Sequence, residues 1–293
     1  MINYTERVTL LMQDIVSRVP TLSFIDMRDV LVFARSGRTN ADGAFATCHC
    51  LSLPTSEPGY YFWKDRDTGR VTRRSEWFVT KSPVVTMAQR PINYLISFTL
   101  PRYSDQTLDR SRKERYYRTG DARLGKTAKA ETTMVAKLDT IVHELYHIDP
   151  EQNGIRRIKR GDGTSSAYCH TPRFFEEVAQ MVGEYLDTHP DPITYDFLRH
   201  DFGSLESQYG GVVGTSFRTF PSYPQRFIES LATQPPCEVD VAGVEIAPVP
   251  PAQQPRSYTE QDLYIRHFLK DTSRCLAAKG QPRPPRRLPF RAA

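Results

Sequence analysis

The chain has no run of about 18 apolar residues, the length a helix needs to cross a bilayer, so no membrane-spanning segment is expected. Nor does it begin like a secretory leader. Glu6, Arg7, Asp14 and Arg18 break up the apolar stretches of the N-terminus, and no basic start leads into a long apolar core. Cysteine is scarce: five residues, at positions 48, 50, 169, 237 and 275 of 293. An odd, scattered set of this kind does not make a disulfide framework, and reduced thiols in a cytoplasmic protein are the expectation. Cys48-His49-Cys50 might be taken for metal ligands, but neighbours on a strand point to opposite faces and no second pair follows nearby, so these read as ordinary strand residues. No internal repeat is present.

Proline, by contrast, is abundant at 22 residues, and much of the excess falls late in the chain. The net charge of +5 is unevenly spread. Nine Lys/Arg face four Asp/Glu between Arg102 and Lys129, and five face none from Lys279 to Ala293. What remains is a near-neutral to acidic body, 39% hydrophobic over the whole chain, with enough apolar material for one sizeable core. The two basic segments have the charge to attract nucleic acid, although solvated loops and tails look the same in sequence.

Thr5 to Val19 carries Val8, Leu11, Met12, Ile15, Val16 and Val19 at helical spacing and ends at Pro20. Leu22 to Ala34 reads as a strand with Ala44 to Leu53 as its partner, Tyr60 to Trp63 and Val71 to Val79 as a further hairpin, and Ile92 to Leu100 as a strand closed by Pro101. Arg102 to Lys129 reads as an exposed loop. Two helices follow, at about 131–148 and 172–186, the second with Thr171 placed to cap it and Pro172 in its first turn. A short helix, a Gly210-Gly211 turn and a strand near Val212 complete a domain expected to span residues 1–234. Residues 235–256 read as a Pro-rich linker, and 257–293 as a helix, about Thr259 to Leu276, followed by a basic disordered tail.

His143-Glu144-Leu145-Tyr146-His147 carries the chemistry. Residues four apart share a helix face, so both imidazoles reach one metal ion, and the adjacent glutamate can act on a zinc-activated water as general base. Met134, Val135, Leu138, Ile141, Val142, Leu145 and Ile148 form an apolar stripe roughly opposite the histidines, while Ala136 and Thr140 share the histidine face and are small. The helix is thus expected to anchor by one side and present a metal in an open cleft by the other. Catalytic zinc takes three protein ligands. Pro150 and Asn153 exclude the compact pattern that would put a third histidine ten residues after the first. His170 is the leading candidate, with Glu176, Glu177, Glu184 and Cys169 as rivals. Tyr168 is a candidate oxyanion donor or a packed aromatic.

This helix, followed by His170-Thr171-Pro172-Arg173-Phe174, resembles the SprT-like zinc metallopeptidases and phage-type metallopeptidases with the same His-Glu-Leu-x-His-Ile helix. The resemblance covers about residues 131–186 by motif and 22–230 by element order. It implies an α+β, zincin-like fold: a small β-sheet packed against the motif helix and a second helix, with a Pro-rich C-terminal extension. It further implies zinc on His143, His147 and His170, Glu144 as general base, and a protein or peptide substrate. In that group a glycine follows the third histidine; here Thr171 stands in its place. A non-catalytic zinc-containing module that binds nucleic acid or protein is the alternative.

Overall fold

A computed structural model describes residues 1–37, 43–51, 60–62, 77–109, 111, 113–117, 129–152, 154–157, 169–221, 225–228 and 255–270. Most of the expected Pro-rich linker, the basic tail, Arg110, Arg112, Lys159, Arg160 and Tyr168 lie outside these residues.

The elements run β1 (Ile2–Asn3), α1 (Tyr4–Arg18), β2 (Val30–Gly37), β3 (Ala46–Cys50), β4 (Tyr60–Phe62), β5 (Trp77–Lys81), β6 (Val84–Met87), β7 (Arg90–Pro91), β8 (Tyr94–Pro101), α2 (Lys129–Tyr146), α3 (Pro172–Asp187), α4 (Pro192–Tyr195), α5 (Phe202–Tyr209), β9 (Val212–Phe217), β10 (Gln225–Ile228), β11 (Ser257–Tyr258) and β12 (Leu263–Phe268). This is an α+β chain with four small sheets among the described residues. The helix expected over Thr5 to Val19 forms as α1, capped by the Asn3 side chain on the Glu6 amide and buried along Val8, Leu11, Met12, Ile15 and Val16.

β2 and β3 do not pair with each other as expected. β8 lies between them, parallel to β2 (Val30 opposite Tyr94) and antiparallel to β3 (Ala46 opposite Phe98). The reason lies in the composition of β8, whose Tyr-Leu-Ile-Ser-Phe-Thr-Leu-Pro run is buried on both faces and so takes the central place. Tyr94, Ile96, Phe98 and Leu100 enter the main core with α1, α2 and α3, while Leu95 faces a second cluster with Phe33, Val85, Phe217 and Tyr258. The sheet of β1, β9 and β12 meets this one where the Ser216 hydroxyl donates to the Ala34 carbonyl at 2.6 Å.

The helix expected over Thr259 to Leu276 is not formed where the chain is described. Thr259 and Asp262 do make a reciprocal cap, a helix-start signature, but it closes a single 3-10 turn. The aromatic and β-branched run after it, Leu263 to Phe268, pairs antiparallel with β9, and Ser257–Tyr258 pairs parallel with β6. Tyr258 and Phe268 are buried, one in each core cluster. Residues 257–268 therefore complete the folded body instead of forming an appended helix beyond a linker.

α2 is the axis of the main core. Every residue from Thr133 to Ile148 is buried, so the histidine side, expected to front an open cleft, lines a cavity walled by other segments. Segments distant in sequence cover that side and satisfy its polar groups. Lys137 donates through Nζ to the His200 carbonyl, Thr140 donates to the Gln106 side chain at 3.1 Å, and Asp139 accepts from Lys113 and from the Tyr117 hydroxyl.

Two outcomes follow from this packing. A chain ending after residue 254 loses both buried aromatics of its C-terminal strands, each worth about 3 kcal/mol or more, and should melt about 10 °C or more below one ending after residue 270. Thermal denaturation of the two checks this, and equal melting would show that 257–268 is dispensable. The second concerns Lys137, whose ammonium burial pushes down to about 7. The unfolded chain then binds more protons between that value and the ordinary lysine range, so this residue makes stability rise with pH through that window. Lys137→Met should be more stable than the parent below pH 7, with the difference shrinking towards pH 10 in denaturant titrations.

Candidate metal centre

The third histidine arrives by helix capping. Thr171 adopts extended backbone angles, φ −85° and ψ 163°, and its hydroxyl accepts from the Phe174 amide, with Pro172 in the first turn of α3. These angles suit any residue, so threonine does here what a glycine would do, and caps the helix as well. His170 sits just before the cap and turns back onto α2. Its Nε2 lies 3.0 Å from Nε2 of His143 and 3.0 Å from Nε2 of His147, which are themselves 3.1 Å apart. Among the described residues these three are the one His/Cys/Asp/Glu group of three or more with converging ligand atoms, and they could hold a metal ion.

Hydrogen bonding alone does not satisfy this triangle. Each contact needs one nitrogen bearing a proton and one bearing a lone pair, and three mutual contacts cannot all meet that condition. A cation at the centre removes the conflict by accepting all three lone pairs. Three nitrogens at tetrahedral zinc bond lengths lie about 3.3 Å apart, close to the spacing found here. The protonation state agrees. Burial holds His143 well below its usual range and pushes His147 down to about 3, and burial followed by the Lys113 charge lowers His170. All three rings are thus neutral, as ligands must be.

Phe174 carries the triad. Its ring lies 5.0 Å from the His143 and His147 rings and 5.4 Å from His170, and the neighbouring Phe175 stacks on His170 at 5.8 Å. The Nδ1 atoms of His143 and His147 are buried without a hydrogen-bond partner among the described residues.

The rival ligands are engaged elsewhere. Glu177 accepts from the Tyr146 hydroxyl and from Arg173, Glu184 accepts from Gln180, and Glu176 is exposed. Cys169 lines the same cavity but is not among the converging ligands.

Glu144 is buried beside the triad, with Oε2 accepting from the Cys48 amide at 2.7 Å. Burial raises its carboxyl to about 7, a shift that the Cys48 amide opposes. That amide belongs to β3. Thr99 N donates to Phe45 O and Leu51 N to Asn93 O, so the odd positions of β3 pair with β8 and the even ones, including Cys48, turn away from it towards α2. The resulting cavity, about 380 Å³, is walled by residues 44–48, Lys113, Thr140, the triad, Glu144 and Ile155.

Sequence reasoning missed Cys48, Lys113 and Asp139 as parts of this site. Asp139 did leave a signal, a lone carboxylate one turn before His143 on the histidine face. Comparison with family models, curated proteins and solved structures finds no match for this chain.

A metal-loading experiment discriminates among the ligands. His170→Ala should lose more affinity for zinc than the about 10- to 100-fold that a ligand's outer partners are worth, whereas Glu177→Ala keeps the metal. Zinc held by the three histidines would raise the melting temperature of the parent, because that site exists only in the folded chain, and chelation would lower it. Zinc retention by His170→Ala would sink the assignment.

Proposed function

We propose that this chain is a zinc-dependent metallopeptidase of zincin-like fold. The observation that carries the reading is the conjunction in one cavity of a three-histidine centre, a buried carboxylate that is not a ligand, and the outward edge of a strand. A structural zinc site closes with four protein ligands and needs no carboxylate beside it, whereas a catalytic one keeps a position open. Burying Glu144 next to the centre costs free energy that a purely structural site would have no use for.

Zinc held by His143, His147 and His170 supplies the Lewis acidity that makes water a nucleophile near neutral pH. Glu144 takes the proton of the attacking water on its carboxylate and returns it to the leaving nitrogen. The Cys48 amide fixes the carboxylate's orientation, and the apolar packing around Phe174 fixes the rings. A substrate main chain in extended form would lie along β3, whose even-numbered amides turn towards the cavity, as a strand added to a sheet edge. This favours a peptide bond over other hydrolysable groups.

The alternative, a zinc-containing module that binds nucleic acid or protein, rests on the two basic segments, 102–129 and 279–293. Of the first segment, Lys113 lines the cavity and pairs with Asp139, which ties this basic residue to the three-histidine site.

Glu144→Gln separates the two readings. It preserves shape and the Cys48 contact, so zinc content should match the parent while casein cleavage falls by about 100- to 10,000-fold. Equal cleavage by both proteins would refute the general-base role, and a zinc-loaded parent that cuts neither casein nor histone would refute the peptidase reading.

A further inference from the structure

Nothing in the basic run between Arg102 and Lys129 sets Lys113 apart in sequence; its position does. Lys113 Nζ donates to Oδ1 of Asp139, and the other carboxylate oxygen accepts from the Tyr117 hydroxyl at 2.7 Å. Asp139 is buried on α2 one turn before His143, on the histidine face. The pairing holds the ammonium in the wall of the cavity that Thr140, His143 and Glu144 also line. Its charge acts on all three imidazoles and on Glu144.

Neutralising Asp139 is not all this arrangement can do. An ammonium has three N–H donors. Asp139 takes one, and no other acceptor meets the ammonium among the described residues, while the side chain keeps 27% of its surface accessible. Lys113 is also the one Lys/Arg in the wall of the cavity among the described residues.

Resting on the metallopeptidase reading, we propose that Lys113 is a catalytic residue that donates a hydrogen bond to the carbonyl oxygen of the bond being cut, with Asp139 and Tyr117 as the residues that position it. As the water oxygen bonds to the carbonyl carbon, the C=O π pair moves onto oxygen and Glu144 holds the water's proton. On collapse that pair re-forms the carbonyl, the C–N bond breaks, and nitrogen takes the proton from Glu144. Lys113 keeps its own protons throughout. Paired with Asp139, it offers a directed donor with little net charge, which favours an oxygen that is anionic only in transit over a permanent carboxylate.

The test uses the zinc-loaded full chain and a peptide spanning a mapped casein cut. Lys113→Met should keep zinc at the parent level and lose about 100- to 1,000-fold in kcat, as loss of one oxyanion donor does. KM should stay within about three-fold, because the contact forms in the transition state. A phosphinic analogue of the peptide should bind more weakly in parallel, and Lys113→Arg should recover part of the rate. Because Lys113→Met leaves Asp139 buried and unpaired, Lys113→Met/Asp139→Asn is measured beside it and should be equally slow. Three results overturn the proposal: kcat close to the parent in zinc-loaded Lys113→Met, a loss confined to KM, or recovery in the double variant, which would trace the damage to the stranded carboxylate. A parent chain that holds zinc and cleaves nothing removes the metallopeptidase reading and this proposal together. An active parent with an unaffected Lys113→Met removes this proposal alone.

Discussion

Three imidazole nitrogens about 3 Å from one another, two of them from a helix buried from Thr133 onward and the third from the start of another, are the constraint on which the rest of the structure depends. An α-helix can place only two of them on one side, four residues apart. The third must be delivered from elsewhere with a position set to within a fraction of an ångström. α3 does this with its own start: the Phe174 amide closes the Thr171 cap while the Phe174 ring supports all three imidazoles. The bond that defines the helix terminus and the contact that seats the ligands thus belong to one residue, so an error in the one would move the other.

The sheet serves the same site from the opposite side. Because β8 is apolar on both faces, it takes the centre and leaves β3 at the end of the order β2-β8-β3. β3 is thereby brought over α2, and one of its outward amides reaches Glu144. A β2–β3 hairpin would have placed these residues elsewhere. The central position of one strand, decided by burial, therefore has a consequence at the chemistry.

What could be read in advance and what could not divides along local and non-local lines. α1, α2 and α3 were legible because their apolar spacing and the Thr171-Pro172 start are local signals, and His143, Glu144 and His147 came with the helix. His170 was legible as a candidate through its place before a cap, although its rivals fell away only when Glu177 and Glu184 were seen to hold other partners. The order of β2, β8 and β3 was not legible, since pairing depends on competition between strands for the interior. Nor was β12, where a helix was expected over Thr259 to Leu276 and pairing with β9 made a strand of Leu263 to Phe268. Lys113 gave no signal, because its role depends on Asp139, 26 residues away.

The buried polar side of α2 also couples the site to the fold. Lys137, Asp139, Thr140 and Glu144 each find a partner in a different distant segment: His200, Lys113 with Tyr117, Gln106 and Cys48. A buried polar group left without its partner costs more than the bond itself contributes. Losing any one of these segments would therefore leave α2 with an unsatisfied group in its core, so the segments fold together with the helix or not at all. The histidine triangle obeys the same rule, except that the partner it lacks is not a protein group. Three ring nitrogens in mutual contact cannot all satisfy one another, and a cation at their centre would complete the network. A metal ion held there would be the last contact of folding, because the site that binds it exists only once α3 has docked on α2.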